Sequence, residues 1–283
     1  MLRIAIQKKG RLYDESTDLL KEIGLKISGN QSALKVSAKN FPLEILFLRN
    51  SDIPKYVESG IVDLGIIGEN TLLEKEKNVN TVMQLGFSKC RLSLAVPKDQ
   101  EYNGIGFFQG KRIATSYPNS LSKYLKEKNI QCEIHEIAGS VEVAPSIGLS
   151  DGICDLVESG NTLFVNGMKE VEVMSHSQAV LISTHNLSSE KQTLLDQITF
   201  RIESTQRAKE YKYIVFNIPN DKIVAASQML PSMKSPTVVP LNLENWSAIH
   251  SVLKEADFWQ SIEQLKSIGA QGILVMPIEK MIL

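Results

Sequence analysis

The 283-residue sequence predicts an α/β protein with two similar lobes and a separate, smaller C-terminal domain. Three observations support this prediction. Short β-forming runs alternate with helical segments in the first part of the chain, one motif recurs in the two halves of that part, and the tail follows a β-α-β-β-α-β order. The length fits two or three domains at about 150 residues per domain.

The first strand is predicted at 2–6, and it leads into a helix at 14–23 that Gly24 closes. Further apolar runs predict strands at 43–48, 64–67, 92–96 and 112–114, with helical segments between several of them. This alternation is typical of strands joined by helical crossovers, so we expect a mostly parallel sheet.

The pattern Gly-Ile-x-Asp-Leu occurs twice, beginning at Gly60 and at Gly152. Each copy follows a helix-like segment, 52–57 in the first case and 143–149 in the second. A glycine suits the left-handed residue that ends a helix, and the residues after it are expected to enter a buried strand. The repeat predicts two similar lobes with a cleft between them.

The composition of the chain and the order of its predicted elements change after residue 182. A polar stretch at 183–189 precedes a helical run from 190 to about 209. The strands expected beyond it are 211–218, 236–241, 246–253 and 272–277, and the helices are 221–229 and 258–268. This order is the ferredoxin-like motif, so we expect a small separate domain there.

Composition narrows the classes of function. Lys and Arg total 31 against 32 Asp and Glu, a formal net charge of −1. Such a chain has no global field to hold DNA or an anionic membrane, so we expect neither nucleic acid nor a membrane as partner. The apolar runs are too short for a membrane span, and the N-terminal run is too short for a signal peptide. We therefore expect a cytoplasmic protein.

Several familiar catalytic signatures do not fit. Cys90, Cys132 and Cys154 lack the paired spacing of a zinc site or a C-x-x-C motif, and we expect them to be buried small hydrophobes. The segment 106–112 resembles a P-loop, but it is one residue short and has Arg where the metal-binding hydroxyl belongs. Metalloprotease and serine-hydrolase motifs are missing as well.

A loop after the predicted strand at 152–157 has the composition of a phosphate site. Small residues there let backbone N–H groups converge on a phosphate, and the hydroxyls of Ser159 and Thr162 add donors. Asp151 and Asp155 before the loop are suited to ribose hydroxyls or to a magnesium ion that carries pyrophosphate. Taken alone, Ser-Gly-Asn-Thr is more typical of an ordinary turn, so the context must decide.

The context is a set of cations at predicted strand ends. Lys8, Lys9 and Arg11 lie between the first strand and a helix expected to begin near Asp14, and Arg49 directly follows the run at 43–48. The loops at the carboxyl ends of strands are where α/β proteins bind ligands, and a helix N-terminus favours an anion. A solvated basic loop is the alternative. Together with the small-residue loop, these cations favour a small polyphosphate ligand.

The segment 142–163 carries the pattern Glu-x5-Gly-x-Ser-x2-Ile-x-Asp-Leu-x2-Ser-Gly-x-Thr-Leu. This pattern is similar to the signature of the ATP phosphoribosyltransferase family, the first enzyme of histidine biosynthesis. The resemblance extends to 7–11, 62–70, 90–95, 111–118, 235–237 and 273–280, so it covers essentially the whole chain. The C-terminal matches correspond to the long form of the family, which has its own regulatory domain.

The resemblance implies a reaction. The family joins ATP to phosphoribosyl pyrophosphate, requires Mg²⁺, and makes phosphoribosyl-ATP and pyrophosphate. Ring nitrogen 1 of adenine attacks the anomeric carbon as pyrophosphate leaves. Positioning and electrostatics then matter more than covalent catalysis, and no nucleophilic side chain is needed.

The resemblance also implies roles for single residues. Lys8, Arg11 and Arg49 would gather the phosphates of the nucleotide and of the leaving group. Tyr117 and Glu142 would line the cleft, with core packing of Tyr117 and helix capping by Glu142 as alternatives.

The phosphate loop would hold the 5′-phosphate of the phosphoribosyl group, and Asp155 would lie near the ribose hydroxyls. Because the family pattern is permissive at Glu158, we assign that side chain no chemistry. The loop residues expected to bind substrate are Glu158, Ser159, Gly160, Asn161 and Thr162.

For the fold, the resemblance implies lobes like those of type II periplasmic binding proteins. Lobe I would comprise 1–90 with 178–189, and lobe II would comprise 91–177 with the phosphoribosyl loop. The ferredoxin-like remainder, 190–283, would bind histidine as inhibitor in a homo-oligomer of dimers that assemble to a hexamer. Ser235 and Thr237 are the regulatory candidates, with a turn before an edge strand as the alternative.

Two other classes of protein stay open at this point. A two-lobed solute-binding protein would explain the lobes, but it leaves the phosphate loop, the added tail and the missing signal peptide unexplained. A regulatory subunit that has lost activity would have no need of the strand-end cations and the loop.

Overall fold

The computed structural model describes residues 1–27, 34–230 and 235–283. The chain forms two compact units, Met1–Leu194 and Leu195–Leu283. The first unit contains two β-sheets and the second contains one. None of the described helices combines the length and the apolar composition that crossing a membrane requires.

The first unit alternates strands and helices along much of its length. Its strands are β1 (Leu2–Gln7), β2 (Lys35–Ser37), β3 (Leu43–Leu48), β4 (Leu64–Gly68), β5 (Asn80–Gln84), β6 (Cys90–Pro97), β7 (Arg112–Thr115), β8 (Glu133–Glu136), β9 (Gly152–Val157), β10 (Met168–Ser177) and β11 (Ala179–Ser183). Its α-helices are α1 (Arg11–Glu22), α2 (Ile53–Glu58), α3 (Glu69–Lys75), α4 (Pro118–Glu127) and α5 (Asn161–Val165). We call the part built on the sheet β2-β3-β1-β4-β11-β5 lobe I, and the part built on β10-β6-β9-β7-β8 lobe II.

The prediction of a mostly parallel sheet is wrong, because both sheets are mixed. In lobe I, β1 is parallel to β3 and β4, whereas β11 is antiparallel to β4 and β5. In lobe II, β7 is parallel to β8 and β9, whereas β6 is antiparallel to β9 and β10. Strands β6 and β11 enter their sheets directly from the other lobe, so the rule that helical crossovers join parallel neighbours does not apply to them.

The central strands of lobe I bury the apolar runs that predicted them. Ile4 and Ile6 in β1 and Leu64 and Ile67 in β4 are fully buried. Continuous burial of this kind is typical of parallel strands that are covered on both faces. Since β1, β3 and β4 run in the same direction, the loops that follow their last residues lie at one edge of the sheet.

The interpretation of Gly152 as a left-handed residue that ends a helix is wrong. Gly152 begins β9, where an added Cβ would lie 2.7 Å from a ring carbon of Phe108. Glycine is needed there because the neighbouring ring approaches the backbone closely. The left-handed residue is Gly148, whose φ of +72° equals that of Gly60.

The internal repeat therefore has a different register, Gly-x-x-Asp, and its two aspartates occupy equivalent positions. Asp63 Oδ2 accepts a hydrogen bond from the Arg3 amide at 2.8 Å, at the start of β1. Asp151 Oδ2 accepts one from the Arg112 amide at 2.9 Å, at the start of β7. In both lobes the aspartate before one strand binds the first part of its parallel neighbour, which supports the prediction of two similar lobes.

Two helical predictions differ from the structure. Helix α1 begins at Arg11, before the predicted start near Asp14, because Gly10 at φ +87° turns the chain straight into the helix. The helix expected at 143–149 is replaced by two short 3-10 turns, Val141–Val143 and Pro145–Ile147. Pro145 and the left-handed Gly148 leave no room for a regular α-helix there.

The second unit has the predicted ferredoxin-like order. It begins within α6 (Ser189–Lys209) and continues with β12 (Tyr211–Pro219), α7 (Ile223–Met229), β13 (Thr237–Pro240), β14 (Trp246–Lys254), α8 (Phe258–Ser267) and β15 (Gln271–Pro277). Its antiparallel sheet has the order β13-β14-β12-β15. Ile214, Phe216 and Ile218 of β12 pack with Ala226 of α7 and Leu265 of α8 in one core.

Candidate active site

A cleft of about 430 Å³ lies between lobe I and lobe II. Residues from the carboxyl ends of β1, β3 and β4 form one wall, and the end of β9 with the following loop forms the other. The lining residues are Gln7, Arg11, Leu12, Asn50, Gly68, Asn70, Ser88, Cys90, Tyr117, Leu156, Val157, Glu158, Ser159, Gly160, Thr162 and Leu163. Six of the predicted site residues are therefore in the cleft: Arg11, Tyr117, Glu158, Ser159, Gly160 and Thr162.

The predicted cations of lobe I lie close together at one sheet edge. Gln7 and Leu48 are partners in the parallel register of β1 and β3, so the residues that follow them, Lys8 and Arg49, leave the sheet side by side. Both side chains are exposed. They lie next to the lining residues Gln7 and Asn50, which places them at the rim of the cleft.

The Arg11 side chain reaches across the cleft to lobe II. As the first residue of α1, its guanidinium forms ion pairs with Glu15 on the same helix, at 3.4 Å, and with Glu158 of lobe II. The Glu158 side chain, to which the sequence assigned no chemistry, is thus the partner of Arg11, one of the cations predicted to bind phosphate.

The phosphate loop is shaped by glycine and held by an arginine that sequence reasoning missed. Gly160 has a φ of +82° and turns the chain from β9 into α5. Arg91 Nη1 donates to the Glu158 carbonyl at 2.9 Å. The other guanidinium nitrogens, Nε and Nη2, bind Glu170 at 2.5 Å each. Bidentate pairing fixes the guanidinium, so Arg91 ties the loop to β10. The sequence signal was Arg91 in the matched segment 90–95.

Asp155 lies within β9, three residues before Glu158, where it is half-buried and is not among the residues that line the cleft. Burial and the negative charge of Glu142 raise the pKa of Asp155, against the Leu156 amide, which donates to Oδ1 at 2.8 Å. Tyr117 packs against the lobe II core and also lines the cleft. Burial raises its pKa as well.

Asp151 is not among the residues that line the cleft. It precedes β9, whereas the cleft is at the opposite, carboxyl end of that strand. Its carboxylate binds the amide and guanidinium of Arg112 at 2.9 to 3.2 Å, and the Arg112 side chain lowers its pKa. The expectation that Asp151 holds substrate is therefore corrected. Proximity to the loop in sequence was misleading, because the Asp151 carboxylate joins the starts of β9 and β7 instead.

The polar floor of the cleft contains side chains that the sequence did not single out. Asn70, at the start of α3, donates from Nδ2 to the Tyr117 hydroxyl at 3.3 Å and from its amide to Ser177 Oγ at 2.9 Å. Asn50 Nδ2 donates to Thr71 Oγ1 at 2.8 Å. Asn70 lies in the matched segment 62–70, which was its only signal, since an isolated amide has no characteristic spacing.

Among the described residues, a metal ion would find few protein ligands. They include no group of three or more His, Cys, Asp or Glu side chains placed to hold one. Asp155 and Glu142 are two carboxylates that act on one another electrostatically near the loop. Mg²⁺ commonly binds through one or two carboxylates together with substrate phosphates and water. The donor set thus fits an ion that arrives with its substrate.

The regulatory candidates lie in the second unit. Ser235 and Thr237 are both exposed, and Thr237 begins the edge strand β13. In the register of β13 and β14, Thr237 is opposite His250, whose Nδ1 lies 2.9 Å from the Tyr213 hydroxyl. Thr237 thus has a polar cross-strand neighbour, and Ser235 lies two residues before it, ahead of the strand.

Comparison with known proteins decides the family. Residues 49–204 match the model described as HisG: ATP phosphoribosyltransferase. The chain belongs to the ATP phosphoribosyltransferase family. Residues 208–280 match the model of the HisG C-terminal domain, which agrees with the separate sheet of the second unit. Membership makes the chain a transferase of histidine biosynthesis and implies ATP as a substrate.

Relatives extend the match over the full length. The ATP phosphoribosyltransferase of Cytophaga hutchinsonii is 54% identical over 282 residues, with 100% of this chain and 99% of that protein covered. The Bacteroides fragilis ATP phosphoribosyltransferase is 51% identical over 283 residues, with 100% of both chains covered. The ATP phosphoribosyltransferase family assignment therefore includes both units.

Solved structures agree with the fold. A chain of the ATP phosphoribosyl transferase (HisG:HisZ) complex from Thermotoga maritima is 31% identical with a TM-score of 0.62, and 72% of this chain and 99% of that chain are covered. The substrate binding protein of an amino acid ABC transporter has a TM-score of 0.50 at 14% identity, with 73% and 93% covered. The second likeness shows the fold alone, a two-lobed architecture like that of periplasmic binding proteins, as the sequence predicted.

Proposed function

We propose that this enzyme transfers the phosphoribosyl group of phosphoribosyl pyrophosphate to ring nitrogen 1 of ATP. The products are phosphoribosyl-ATP and pyrophosphate, and the step is the first committed reaction of histidine biosynthesis. One observation carries the proposal: the glycine-turned loop 158–162 faces the Arg11 guanidinium across a cleft of about 430 Å³. A loop of backbone donors opposite a cation suits a substrate with phosphates at both ends.

The residues of the cleft divide between the two ends of the phosphoribosyl substrate. The loop amides and the Thr162 hydroxyl bind the 5′-phosphate. Arg11, with Lys8 and Arg49 at the rim, binds the pyrophosphate and the ATP phosphates. As the bond to pyrophosphate breaks, positive charge develops on the ribose and negative charge on the leaving group, and fixed cations at the leaving-group end stabilise that separation.

In this proposal Asp155 and Glu142 act at the ribose end of the substrate. Asp155 contacts the ribose hydroxyls, and its carboxylate favours positive charge on the ring. Asp155 and Glu142 are also the residues that would hold Mg²⁺ together with substrate oxygens. When bound, the ion neutralises pyrophosphate charge. Tyr117 closes the floor of the cleft beside them.

The assay mixes the protein with ATP, phosphoribosyl pyrophosphate and Mg²⁺ and follows the ultraviolet change of alkylated adenine. We expect turnover by the wild-type protein. Thr162→Ala removes one donor to a charged phosphate, worth roughly 1.5–3 kcal/mol, and should lower kcat/KM for phosphoribosyl pyrophosphate about 10- to 100-fold. Thr193→Ala, on the exposed start of α6, is the matched control and should be unaffected.

Two results would contradict the proposal. Folded wild-type protein that forms no product would exclude the reaction. Normal turnover in both Thr162→Ala and Arg49→Ala would instead indicate that the loop and rim cations have no part in it.

We also propose that histidine inhibits the enzyme by binding to the second unit. The support is the family C-terminal domain at 208–280 and the exposed hydroxyls of Ser235 and Thr237. Inhibition requires that histidine favours a less active state, with a coupling free energy of ~1–3 kcal/mol. The division into lobe I (1–90 with 178–189), lobe II (91–177) and regulatory domain (190–283), the hexamer built from dimers and the cytoplasmic location are further parts of this proposal.

A further inference from the structure

The first turn of α4 in lobe II is capped by a side chain of lobe I. The N-cap residue of α4 is Tyr117, which makes no side-chain cap, and Pro118 has no amide hydrogen. Glu74 of α3 supplies the missing acceptors. Its Oε1 accepts from the Asn119 amide at 3.0 Å, and its Oε2 accepts from the Ser120 amide at 2.9 Å and the Ser120 hydroxyl at 2.8 Å.

This contact is buried and charged. The Glu74 residue is 3% exposed, and its backbone carbonyl also accepts from Asn119 Nδ2 at 3.0 Å. A carboxylate is favoured at a helix N-terminus, where first-turn amides point outward. A small displacement of the lobes here would break these hydrogen bonds before water could replace them, and buried polar groups are costly when unsatisfied.

The same face of α3 also reaches the floor of the cleft. Asn70 and Glu74 are four residues apart, so both side chains lie on one side of the helix. Asn70 Nδ2 donates to the Tyr117 hydroxyl at 3.3 Å, and Asn70 Oδ1 accepts from Ser177 Oγ at 3.0 Å. Helix α3 thus fixes both the start of α4 and the tyrosine at its N-cap.

We infer that Glu74 is a positioning residue that holds the two lobes in the substrate-binding arrangement before any substrate arrives. Proteins with two lobes around a cleft commonly close by a hinge motion when the ligand binds. Here the buried cap replaces that motion, so binding need not supply the free energy of closure. The identity of the substrates rests on the proposed function, whereas the locked arrangement rests on the contacts of Glu74.

Kinetics of Glu74→Ala test the inference. If the lobes of the variant are correctly arranged only about a tenth of the time, the apparent affinity falls by that fraction, and KM for both substrates rises about 10-fold. The saturated enzyme is fully assembled, so kcat stays within about twofold. Glu74→Gln, which keeps one oxygen acceptor, should give an intermediate KM. Glu76→Gln, an exposed glutamate next along the chain, should leave both constants unchanged.

Amide hydrogen exchange supplies a measurement that needs no turnover. In the wild-type protein, amides at the start of α4 should be protected without substrate and gain little on addition of phosphoribosyl pyrophosphate. In Glu74→Ala they should exchange at least 10-fold faster and regain protection when the substrate binds. Ser120→Ala, which removes one of the three donors, should show a smaller effect and keeps the test available if Glu74→Ala does not fold.

Three results would overturn the inference. Unchanged KM in a folded Glu74 variant would mean that the contact caps α4 but does not hold the lobes in place. A fall in kcat at constant KM would place Glu74 in the chemical step. Strong new protection of α4 in the substrate-bound wild-type protein would mean that its lobes close on binding. A wild-type protein without turnover would contradict the proposed function, and the exchange comparison would still decide the role of Glu74.

Discussion

At the scale of single residues, pairing decides which charges of the cleft are available. Arg11 is shared between Glu15 and Glu158, whereas Lys8 and Arg49 stand exposed at the rim. The acids also differ in their partners, since the Asp151 carboxylate binds Arg112, whereas the half-buried Asp155 accepts the Leu156 amide. Residue type alone does not distinguish these cases, because the same side chain serves a ligand or a strand junction according to its neighbours.

Glu158→Gln should improve the use of phosphoribosyl pyrophosphate. The Arg11–Glu158 pair is exposed, and such pairs contribute roughly 0.2–1 kcal/mol, so freeing Arg11 should lower KM about 1.5- to 5-fold. Steady-state kinetics at low salt are the measurement. Asp18→Asn, which breaks an exposed pair with Lys21 on the same helix, should leave KM unchanged. A higher KM in Glu158→Gln would show that this carboxylate contacts the substrate.

Asp155→Asn should increase the stability of the protein near neutral pH while it lowers turnover. Burial and the charge of Glu142 hold the pKa of Asp155 above its ordinary 3.8, so the folded protein keeps this proton where the unfolded chain has lost it. Stability therefore falls as pH rises from that value through the raised pKa. The variant lacks this loss, so its free energy of unfolding near neutral pH should increase, while turnover falls about 10-fold or more.

Denaturant unfolding between about pH 4 and 7 measures the stability effect of Asp155→Asn. Asp99→Asn, at an exposed carboxylate, should follow the wild-type pH dependence. A variant of Asp155 that is less stable than wild type at neutral pH would mean that the ionised carboxylate makes a stabilising contact, and the burial argument would fail.

At the scale of elements, the phosphate loop is positioned by its neighbours in the sheet. β9 lies between β6 and β7 in the sheet of lobe II, and the Arg91 guanidinium of β6 bridges the loop carbonyl of Glu158 and the Glu170 carboxylate of β10. Three adjacent strands thus hold one turn. A loop fixed in this way presents its amides without first losing conformational entropy.

Arg91→Lys should loosen the loop while keeping the charge. A lysine ammonium cannot make the two parallel bonds to Glu170 and also reach the Glu158 carbonyl. We expect KM for phosphoribosyl pyrophosphate to rise about 5- to 20-fold with a smaller change for ATP, as kinetics with each substrate varied will measure. Glu170→Gln should act in the same direction, and the double variant should be less than additive because both changes break one contact.

At the scale of the whole molecule, the chain divides into two compact units with separate cores. The dividing point lies within α6, and Lys191 on the first turns of that helix binds the buried Asp63 at 2.7 Å. Asp63 also accepts the Arg3 amide, so this residue joins the start of α6 to the sheet of lobe I. A truncation must keep Lys191 to leave the first unit intact.

A chain that ends at Leu194 should lose the response to histidine. The removed unit contains the family C-terminal domain, so a histidine titration of activity should be flat in the truncated protein and inhibitory in the full chain. Circular dichroism verifies folding, and native mass measurement gives the oligomer of each. Inhibition that persists in the folded truncation would exclude the second unit as the histidine site. Ser235→Ala and Thr237→Ala in the full chain then test the local contact.

Much of the fold followed from local pattern. Apolar runs predicted β3 and β12 nearly to the residue, and the βαββαβ order of the tail is confirmed. The strands β2, β5, β8, β10 and β11 were not predicted. β10 is rich in polar side chains and lies at the edge of its sheet beside β6, where most of its residues are only half-buried. A strand of this kind lacks the apolar run that identifies a buried one.

The sequence likewise predicted some residues of the candidate site and missed others. Ser159, Gly160 and Thr162 belong to a contiguous motif, and the sequence places all three in the cleft, where the structure has them. Asp151 was misplaced, and Asn70, Glu74 and Arg91 were not assigned roles. The first error arose because positions near one another in sequence lie at opposite ends of a strand, and an extended strand advances about 3.3 Å per residue.

The sequence by itself determined the fold class, the two lobes with their tail, and the family, because these depend on periodicity and on contiguous motifs that local interactions enforce. The tertiary structure decided the strand directions, the register of the repeat and the pairing of each charge. It alone brought Glu74 to the start of α4 and Arg11 to Glu158, partners that lie 45 to 147 residues apart. Such contacts depend on which strand ends and helix faces meet, and no local pattern records that.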